Sequence, residues 1–259
     1  MILDRSRIRL VVFDWAGTLV DCGSRAPALA FVETFARFGV EVTEAEARGP
    51  MGMPKRPHIE AMLAEPRVAE AWATRHGPAD SKAVDRLYET FEPLAAEVAA
   101  REATPIPGVP EALAKLRARG IAIGSTTGYA RAIMEGVLGV AAANGVAPDC
   151  VVCADDVANG RPAPDGVLAN MAHFGVADPA ETLKLDDAAP GIAEGVNAGA
   201  GAVGVTLTGN GAGLAAAELA ALSESERSAL RDAAAAPLAA AGAAATLDGV
   251  ADLPDWLEG

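Results

Sequence analysis

Aromatic residues, cysteines and positive charges are all scarce in this sequence, and these shortages narrow what the protein can do. Aromatic residues make up 4% of the 259 residues although 51% are hydrophobic, so much of the hydrophobicity comes from alanine. The three cysteines, Cys22, Cys150 and Cys153, leave an odd thiol, which is typical of a reducing compartment. The formal net charge of −14 argues against nucleic acid or anionic lipid as a partner. An anionic substrate would therefore need a metal ion or a few basic residues close to it.

Segments typical of membranes and of secretion are also missing. The longest stretch without charge, residues 195–217, is rich in Gly, Asn and Thr and contains the turn-like Gly209-Asn210-Gly211. A strand followed by a loop fits that composition better than a transmembrane helix. Near the N-terminus, Arg5 and Arg7 stand where a secretory signal peptide needs its apolar region. We therefore expect a cytoplasmic protein with no membrane partner.

Apolar runs alternate with helical patterns along most of the chain. Helices such as Pro110–Arg119 and Tyr129–Leu138 are predicted between runs that have the composition of strands. Strands separated by helices of that length predict an α/β protein with a doubly wound parallel sheet. The predicted strands are Ile8–Phe13, Ile121–Gly124, Cys150–Cys153, Thr182–Leu185 and Ala202–Leu207.

One long segment breaks that alternation, because it has helical composition and no strand pattern. We predict an inserted all-helical cap domain over residues 24–104, with the catalytic core over residues 1–23 and 105–259. The turn-like Pro105-Ile106-Pro107-Gly108 marks the return to the core, and the Ala-rich tail Ala215–Ala245 is predicted as one or two surface helices. The helical segments of the insert are Pro27–Phe38, Thr43–Arg48, His58–Ala64 and Ala79–Ala100.

Polar groups follow four of the predicted strands. Because the carboxyl ends of parallel strands meet at one edge of a sheet, these groups are expected to line a single crevice. Carboxylates there can hold Mg²⁺, while hydroxyls, peptide N–H groups and a guanidinium can hold the oxygens of a phosphoryl group. The groups are Asp14, the segment Ser125–Gly128, Arg161, and Asp186 with Asp187.

The segment Met51–His58 holds one lysine between two prolines. For Lys55 to act as a nucleophile, its pKa must fall from about 10.4 toward neutrality. The adjacent Arg56 adds a positive charge, the prolines indicate the first turn of a helix, whose dipole disfavours a cation, and Met51 offers a poorly solvated wall. His58 is positioned to relay protons. The residues alone leave open the alternative that Lys55 is a solvated surface lysine and His58 a packing residue.

Five stretches carry a family resemblance: FDWAGTLVD, EARGPMGMPKRPHIEAM, IGSTTGY, GRPAP and DDAAPGIAEG. Together they resemble the phosphonoacetaldehyde hydrolases of the haloacid dehalogenase superfamily, and the similarity extends over nearly the whole chain. The resemblance implies a Rossmann-like core with a helical cap. It also implies hydrolysis of phosphonoacetaldehyde to acetaldehyde and phosphate in the degradation of 2-aminoethylphosphonate. The expected partner is then a small phosphonate substrate, and the expected assembly is a homodimer.

The resemblance also implies specific roles for the acidic residues and the lysine. Asp14 would be the nucleophile that attacks phosphorus, and Lys55 would form a Schiff base with the aldehyde. Asp14, the backbone carbonyl of Ala16 and Asp187 would hold Mg²⁺, with Asp186 as the main rival to Asp187.

Further residues would hold the phosphoryl group or border the substrate. The N–H groups of Thr127 and Gly128 would hold its oxygens, and Arg161 would neutralise its charge. Tyr129 would either border the substrate pocket or cap the next helix. A homodimer through the cap would suit an exposed aromatic residue such as Trp72, which could equally belong to the cap core.

Ala16 links the nucleophile to the lysine. Ordinary phosphatases of the superfamily carry a second Asp at that position to protonate the departing alkoxide oxygen. A carbon leaving group has no oxygen to protonate and needs an electron sink, which an imine of Lys55 provides. One alternative is an Mg-dependent phosphatase of a small phosphate ester, which Ala16 disfavours. Another is a catalytically silent small-molecule-binding relative, which the intact pair of Asp14 and Lys55 argues against.

Overall fold

The computed structural model describes residues 3–50 and 55–259. The chain divides into two compact units, one made of residues 1–25 and 102–259 and the other of residues 26–101. We call the first the sheet unit and the second the helical unit.

The sheet unit is built on a parallel sheet, which confirms the predicted α/β class. Every neighbouring pair of strands is parallel, and the order across the sheet is β3-β2-β1-β4-β5-β6. The first strand therefore lies at the centre, next to the strands that carry the other predicted site residues. The strands are Leu10–Phe13 (β1), Ala122–Thr126 (β2), Cys150–Val152 (β3), Thr182–Asp186 (β4), Gly201–Val205 (β5) and Ala245–Leu247 (β6).

Helices cover the central strands. All residues of β1 are buried, as expected for a strand with both faces covered. On one face, Leu10 and Val12 pack with Val167 and Met171. The first five helices of the chain belong to the insert and are described below. The helices of the sheet unit are Val109–Ala118 (α6), Arg131–Ala143 (α7), Asp165–Phe174 (α8), Ala189–Asn197 (α9), Ala216–Ala221 (α10), Glu224–Ala240 (α11) and Leu253–Trp256 (α12).

The Ala-rich tail differs from its prediction. Helix α11 buries Ala234 and Leu238 and contributes to the core of the sheet unit, so it is not only a surface helix. The strand β6 follows directly and pairs with β5, with Val203 opposite Ala245. The prediction missed β6 because a strand of three residues at the end of an alanine run is too short to show an alternating pattern.

The helical unit has a core rich in aromatic residues. Phe31, Phe35, Trp72 and Phe91 are buried within it, so Trp72 is a core residue and not an exposed dimer contact. The sequence did not indicate its fourth helix, although Pro66 stands at the first helical position, where proline is favoured. The helices are Ala26–Arg37 (α1), Glu44–Arg48 (α2), Lys55–Ala64 (α3), Pro66–His76 (α4) and Ser81–Glu102 (α5).

None of the helices in the described part of the chain combines the length and the apolar composition needed to cross a bilayer.

Candidate active site

Asp14 lies directly after the central strand β1. Its backbone N–H donates to the carbonyl of Leu185 in β4, which holds the residue at the end of the sheet (2.9 Å). The side chain is buried, and its Oδ1 forms an ion pair with Nη2 of Arg161 at 2.8 Å. The sheet thus brings together a carboxylate and a guanidinium that are far apart in sequence, as the strand ends predicted.

A tight turn follows Asp14 and contains Ala16. Two hydrogen bonds join Trp15 and Gly17 to Val20, and neither uses the N–H or the carbonyl of Ala16. Gly17 has φ +81°, and a Cβ at this position would lie 2.3 Å from Oδ2 of Asp187. Glycine is therefore required here both by its backbone conformation and by the approach of a carboxylate.

Three buried carboxylates meet at this end of the sheet. Oxygens of Asp14, Asp186 and Asp187 lie within 4.8 Å of one another. Burial, with the charge of Asp186 as a second cause, raises the pKa of Asp14 to about 6. Burial and the charges of Asp14 and Asp186 raise the pKa of Asp187 well above its ordinary value. A cation among these oxygens would relieve both the desolvation and the repulsion.

Two cations accompany these carboxylates beneath the site. Lys184 is fully buried, with its Nζ 3.0 Å from Asp186 Oδ2 and 3.5 Å from Glu194 Oε2. Arg161 pairs with Glu194 as well, through its Nε at 3.1 Å. Burial would lower the pKa of Arg161, but the neighbouring carboxylates outweigh it and raise that pKa, so the guanidinium stays charged.

These charged residues form one cluster that contains two more carboxylates than cations. Its members are Asp14, Asp186, Asp187, Glu194, Arg161 and Lys184. When all are ionised, the negative formal charge that remains is the amount that one divalent cation would balance. The three grouped aspartates offer carboxylate oxygens as ligand atoms, which suit a hard divalent metal ion. The residues present therefore fit a metal site at the end of β1.

Asp186 and Asp187 are held in different ways. Asp187 Oδ2 accepts a hydrogen bond from the backbone N–H of Asn210 at 2.7 Å. Asp186 Oδ1 accepts from the backbone N–H of Ala188, and its carboxylate lies against Gly191, where a Cβ would come within 1.9 Å of Oδ2. A side chain at position 191 would thus displace Asp186. Both aspartates belong to the group of three carboxylates that could hold a metal ion, so the choice between them as metal ligand stays a prediction.

The residues after β2 depart in one detail from their prediction. The backbone N–H of Thr127 donates to the carbonyl of Val152 at 3.1 Å, so it serves the sheet and does not point to a phosphoryl group. Its hydroxyl oxygen accepts from the N–H of Tyr129, which leaves the hydroxyl proton to donate elsewhere. Gly128 is exposed, and a Cβ there would meet no atom within 4 Å, so the space above its backbone is open.

Tyr129 lies near the carboxylates. Burial, then the charges of Asp21, Asp14 and Asp187, raises the pKa of its hydroxyl. At the start of α7, the backbone N–H of Arg131 donates instead to Oδ1 of Asp155 at 2.8 Å, so Asp155 caps the helix. Of the two readings of Tyr129, the position beside the site therefore has more support than the helix cap.

In the helical unit, Lys55 is the first residue of α3. It is partly buried, with its Nζ 5.6 Å from the ring centroid of Phe31 and 5.9 Å from that of Phe91. Burial lowers the pKa of Lys55. Arg56, which the sequence analysis offered as a cause, is instead ion-paired with Asp85. The predicted contribution of Met51 lies outside the described residues.

His58 is fully buried and lies three residues after Lys55 in α3. Its ring stacks on Phe31 with centroids 3.8 Å apart, and its Nε2 lies 2.8 Å from the carbonyl oxygen of Ala47. Because a carbonyl only accepts, Nε2 carries the proton and Nδ1 is left as a free acceptor, with no partner among the described residues. Burial lowers the pKa of His58, the hydrogen bond to Ala47 opposes this shift, and the charge of Lys55 adds to it, so the net effect favours the neutral ring.

Comparison with known proteins identifies the family. The haloacid dehalogenase-like hydrolase family model matches residues 8–199. A phosphonoacetaldehyde hydrolase from Paraburkholderia xenovorans is 48% identical over 247 residues, which cover 95% of this chain and 92% of the relative. The chain belongs to the phosphonoacetaldehyde hydrolase family. Membership confirms the resemblance seen in the five sequence stretches.

Other members and structures agree with this assignment. A phosphonoacetaldehyde hydrolase from Bordetella pertussis is 46% identical and covers 97% of this chain, with 91% of its own length matched. The crystal structure of a phosphonoacetaldehyde hydrolase-like protein from Oleispira antarctica has 39% identity and a TM-score of 0.85, covering 100% of this chain and 94% of that one. A haloacid dehalogenase family hydrolase from Deinococcus radiodurans, with 22% identity, a TM-score of 0.66 and coverage of 95% and 93%, shares the fold.

Three residues at the site of this phosphonoacetaldehyde hydrolase family member were not foreseen from the sequence. Lys184 and Glu194 belong to the charged cluster, and Asn210 binds Asp187 from a loop that the sequence analysis did not assign to the site. The strand Thr182–Asp186 did contain a signal, since a lysine in a run with buried strand character needs a buried partner. Glu194 is the one charged residue of α9, but a single Glu in a helix is usually exposed, and Asn210 lies in a turn-like segment where Asn is common.

Proposed function

We propose that this protein hydrolyses phosphonoacetaldehyde to acetaldehyde and inorganic phosphate. The observation that carries the proposal is the environment of Lys55, whose amine lies beside two aromatic rings with no carboxylate of the described residues at ion-pair distance. A lysine partly buried against aromatic rings has a lowered pKa, which is what a nucleophilic amine needs. Curated relatives at 44–48% identity carry the name of this activity.

Lys55 supplies the electron sink. Its neutral amine attacks the aldehyde carbon, and uptake of one proton from the solvent with loss of water leaves a protonated imine. His58 supports this step, because its proton-free Nδ1 can accept a proton directly or through a water molecule. The positive imine carbon stands two bonds from phosphorus, so it can take up the electrons of the P–C bond.

Asp14 supplies the nucleophile. Its carboxylate oxygen forms a bond to phosphorus while the P–C bond breaks, and the electron pair of that bond moves into the imine to give an enamine. Protonation of the enamine carbon and attack by water release acetaldehyde and free Lys55. A second water molecule then cleaves the aspartyl phosphate. Ala16 fits this route, because no leaving oxygen requires an acid at its position.

The phosphoryl oxygens need positive or donor groups. Arg161 provides the guanidinium, Thr127 its hydroxyl, and Gly128 its open backbone, which corrects the predicted use of the Thr127 N–H. We propose Mg²⁺ as the metal, held by Asp14, Asp187 and the carbonyl of Ala16. When bound, it neutralises charge that develops on the phosphoryl oxygens.

A product assay tests the function directly. The purified protein, incubated with phosphonoacetaldehyde and Mg²⁺, should release acetaldehyde and phosphate in equal amounts. The same preparation should release little phosphate from a small phosphate ester such as ethyl phosphate, because Ala16 offers no acid for an oxygen leaving group. Rapid ester hydrolysis without acetaldehyde from the phosphonate would support the ester phosphatase instead.

Removal of the metal should stop the reaction. A chelator is expected to abolish phosphate release, and Mg²⁺ at about a hundredfold excess over its Kd should raise Tm by about 5–10 °C. Differential scanning fluorimetry with and without Mg²⁺ measures the shift. Asp187→Asn should lose most of it, whereas Asp232→Asn, on an exposed face of α11, should keep it. If Mg²⁺ raised the Tm of Asp187→Asn as much as that of the unchanged protein, Asp187 would not be a metal ligand.

Other expectations from the sequence stay predictions. Residues 24–104 are predicted to form the cap, and residues 1–23 and 105–259 the catalytic core. The remaining expectations are the homodimer, the cytoplasmic location, the absence of nucleic-acid and membrane partners, and the place of the reaction in 2-aminoethylphosphonate degradation.

A further inference from the structure

Glu194 is a buried carboxylate for which the proposed reaction has no chemical use. It lies in α9 with 3% of its surface exposed, and its Oε2 is 3.1 Å from Nε of Arg161. Arg161 in turn reaches Asp14 with Nη2 at 2.8 Å. Glu194 therefore holds one edge of the guanidinium while Asp14 meets another.

The hydroxyl of Thr126 joins the same group. Its Oγ1 accepts from Lys184 Nζ at 2.7 Å and from Arg161 Nη2 at 2.8 Å, and it donates to Glu194 Oε2 at 2.9 Å. The carbonyl oxygen of Thr126 accepts from the same Nη2 at 3.0 Å. With two donors received and one proton given, the hydroxyl has used its full capacity and allows little rotation.

The backbone leaves room for this arrangement. A Cβ on Gly166 would lie 2.5 Å from Glu194 Oε1 and 2.9 Å from Thr126 Cγ2. A Cβ on Gly195 would lie 2.6 Å from Lys184 Cβ. Two glycines without positive φ thus stand where any side chain would disturb Glu194, Thr126 or Lys184. Steric room, hydrogen bonds and charge all converge on the same position of the guanidinium.

We propose that Glu194, together with Thr126, is a positioning residue that fixes the Arg161 guanidinium at the oxygen of Asp14. The inference rests on the proposed function, because it assigns to Arg161 a part in the attack of Asp14 on phosphorus. Without the charge of Glu194, the guanidinium keeps two carboxylate partners, Asp14 and Asp186, and loses the contact that fixes its Nε edge, so its position at Asp14 is less well defined. Imine formation at Lys55 does not use this group and is unaffected.

The test compares Glu194→Gln with Glu135→Gln, a substitution on an exposed face of α7 in the same unit. Glu194→Gln should lower kcat for phosphate release by about 10- to 100-fold with a much smaller change in KM. The yield of the borohydride-trapped adduct on Lys55 should be retained. Glu135→Gln should change none of these quantities.

Thr126 provides a second pair of variants in case Glu194→Gln does not fold, as judged by circular dichroism and Tm. Thr126→Val keeps the shape but loses the hydroxyl and should lower kcat by about tenfold or more, whereas Thr126→Ser should stay within about threefold of the unchanged protein. The inference is wrong if folded Thr126→Val and Glu194→Gln proteins both keep kcat within about twofold. If the unchanged protein releases no acetaldehyde and phosphate from phosphonoacetaldehyde, the proposed function itself has failed, and not only this inference.

Discussion

Asp14→Asn is expected to lower kcat for release of phosphate from phosphonoacetaldehyde by about 10⁴-fold or more. The amide has the size of the carboxylate but lacks the negative oxygen that bonds to phosphorus. Lys55 lies in the other unit, so its imine should still form, and borohydride should trap it on the variant. Stopped-flow or discontinuous phosphate assays measure the first quantity, and intact-protein mass spectrometry measures the second.

The combination of the two measurements separates the nucleophile from the fold. A protein that traps the imine at full yield but releases no phosphate is folded and lacks only the attack on phosphorus. Asp232→Asn serves as the matched control, because Asp232 is an exposed carboxylate of the same unit. Turnover of Asp14→Asn at the rate of the unchanged protein would eliminate Asp14 as the nucleophile.

Lys55→Met should abolish both imine trapping and turnover, with a fall in kcat of about 10⁴-fold or more. Methionine has similar length and suits an environment of two aromatic rings, so the helical unit should keep its fold. Since burial disfavours the charged lysine, removal of the amine is expected to leave Tm unchanged or to raise it. Measurements of Tm and of the trapped adduct on the same preparation check both points.

The lysine that carries the trapped adduct is simple to identify, because the sequence contains four lysines: Lys55, Lys82, Lys115 and Lys184. Lys82→Met is the matched control, since Lys82 is an exposed lysine of the same helical unit. It should retain trapping and turnover. An adduct that persists in Lys55→Met, or that maps by peptide mass spectrometry to another lysine, would overturn the Schiff-base assignment.

The pH dependence of trapping follows from the lowered pKa of Lys55. Only the neutral amine attacks the aldehyde, so the rate of imine formation should fall as pH drops below that pKa and should level off above it. The level region begins at lower pH than it would for a solvated lysine, because burial favours loss of the proton.

Much of the fold was predictable because it depends on local patterns. A strand such as Leu10–Phe13 is a continuous apolar run, which is typical of a strand buried on both faces, and helical patterns separate it from the next strands. Strand β6 was missed because three residues carry too little pattern, and α4 was missed although Pro66 marks its start. Short elements depend on their neighbours more than on their own composition.

The site was predictable where chemistry coincides with a strand end. Asp14 and Asp187 both follow strands, and the sheet brings them together. The hydrogen bond of the Thr127 N–H was not predictable, because it depends on the register between β2 and the residue Val152 in β3. Of the causes offered for the lowered pKa of Lys55, poor solvation agrees with the burial that lowers it, whereas Arg56 is paired with Asp85 in another helix of the helical unit.

The sequence by itself determined the class of the sheet, the family, and the candidate residues for the nucleophile and the amine, because these depend on periodicity and on short contiguous motifs. The tertiary structure alone decided how the charges are balanced. Glu194 pairs with Arg161 and Lys184, and Arg161 pairs with Asp186, only because β4, α9 and the loop after β3 meet beneath the strand ends. Ion pairs between residues distant in the chain leave no mark on local pattern, since each partner sees the other only after the backbone has folded.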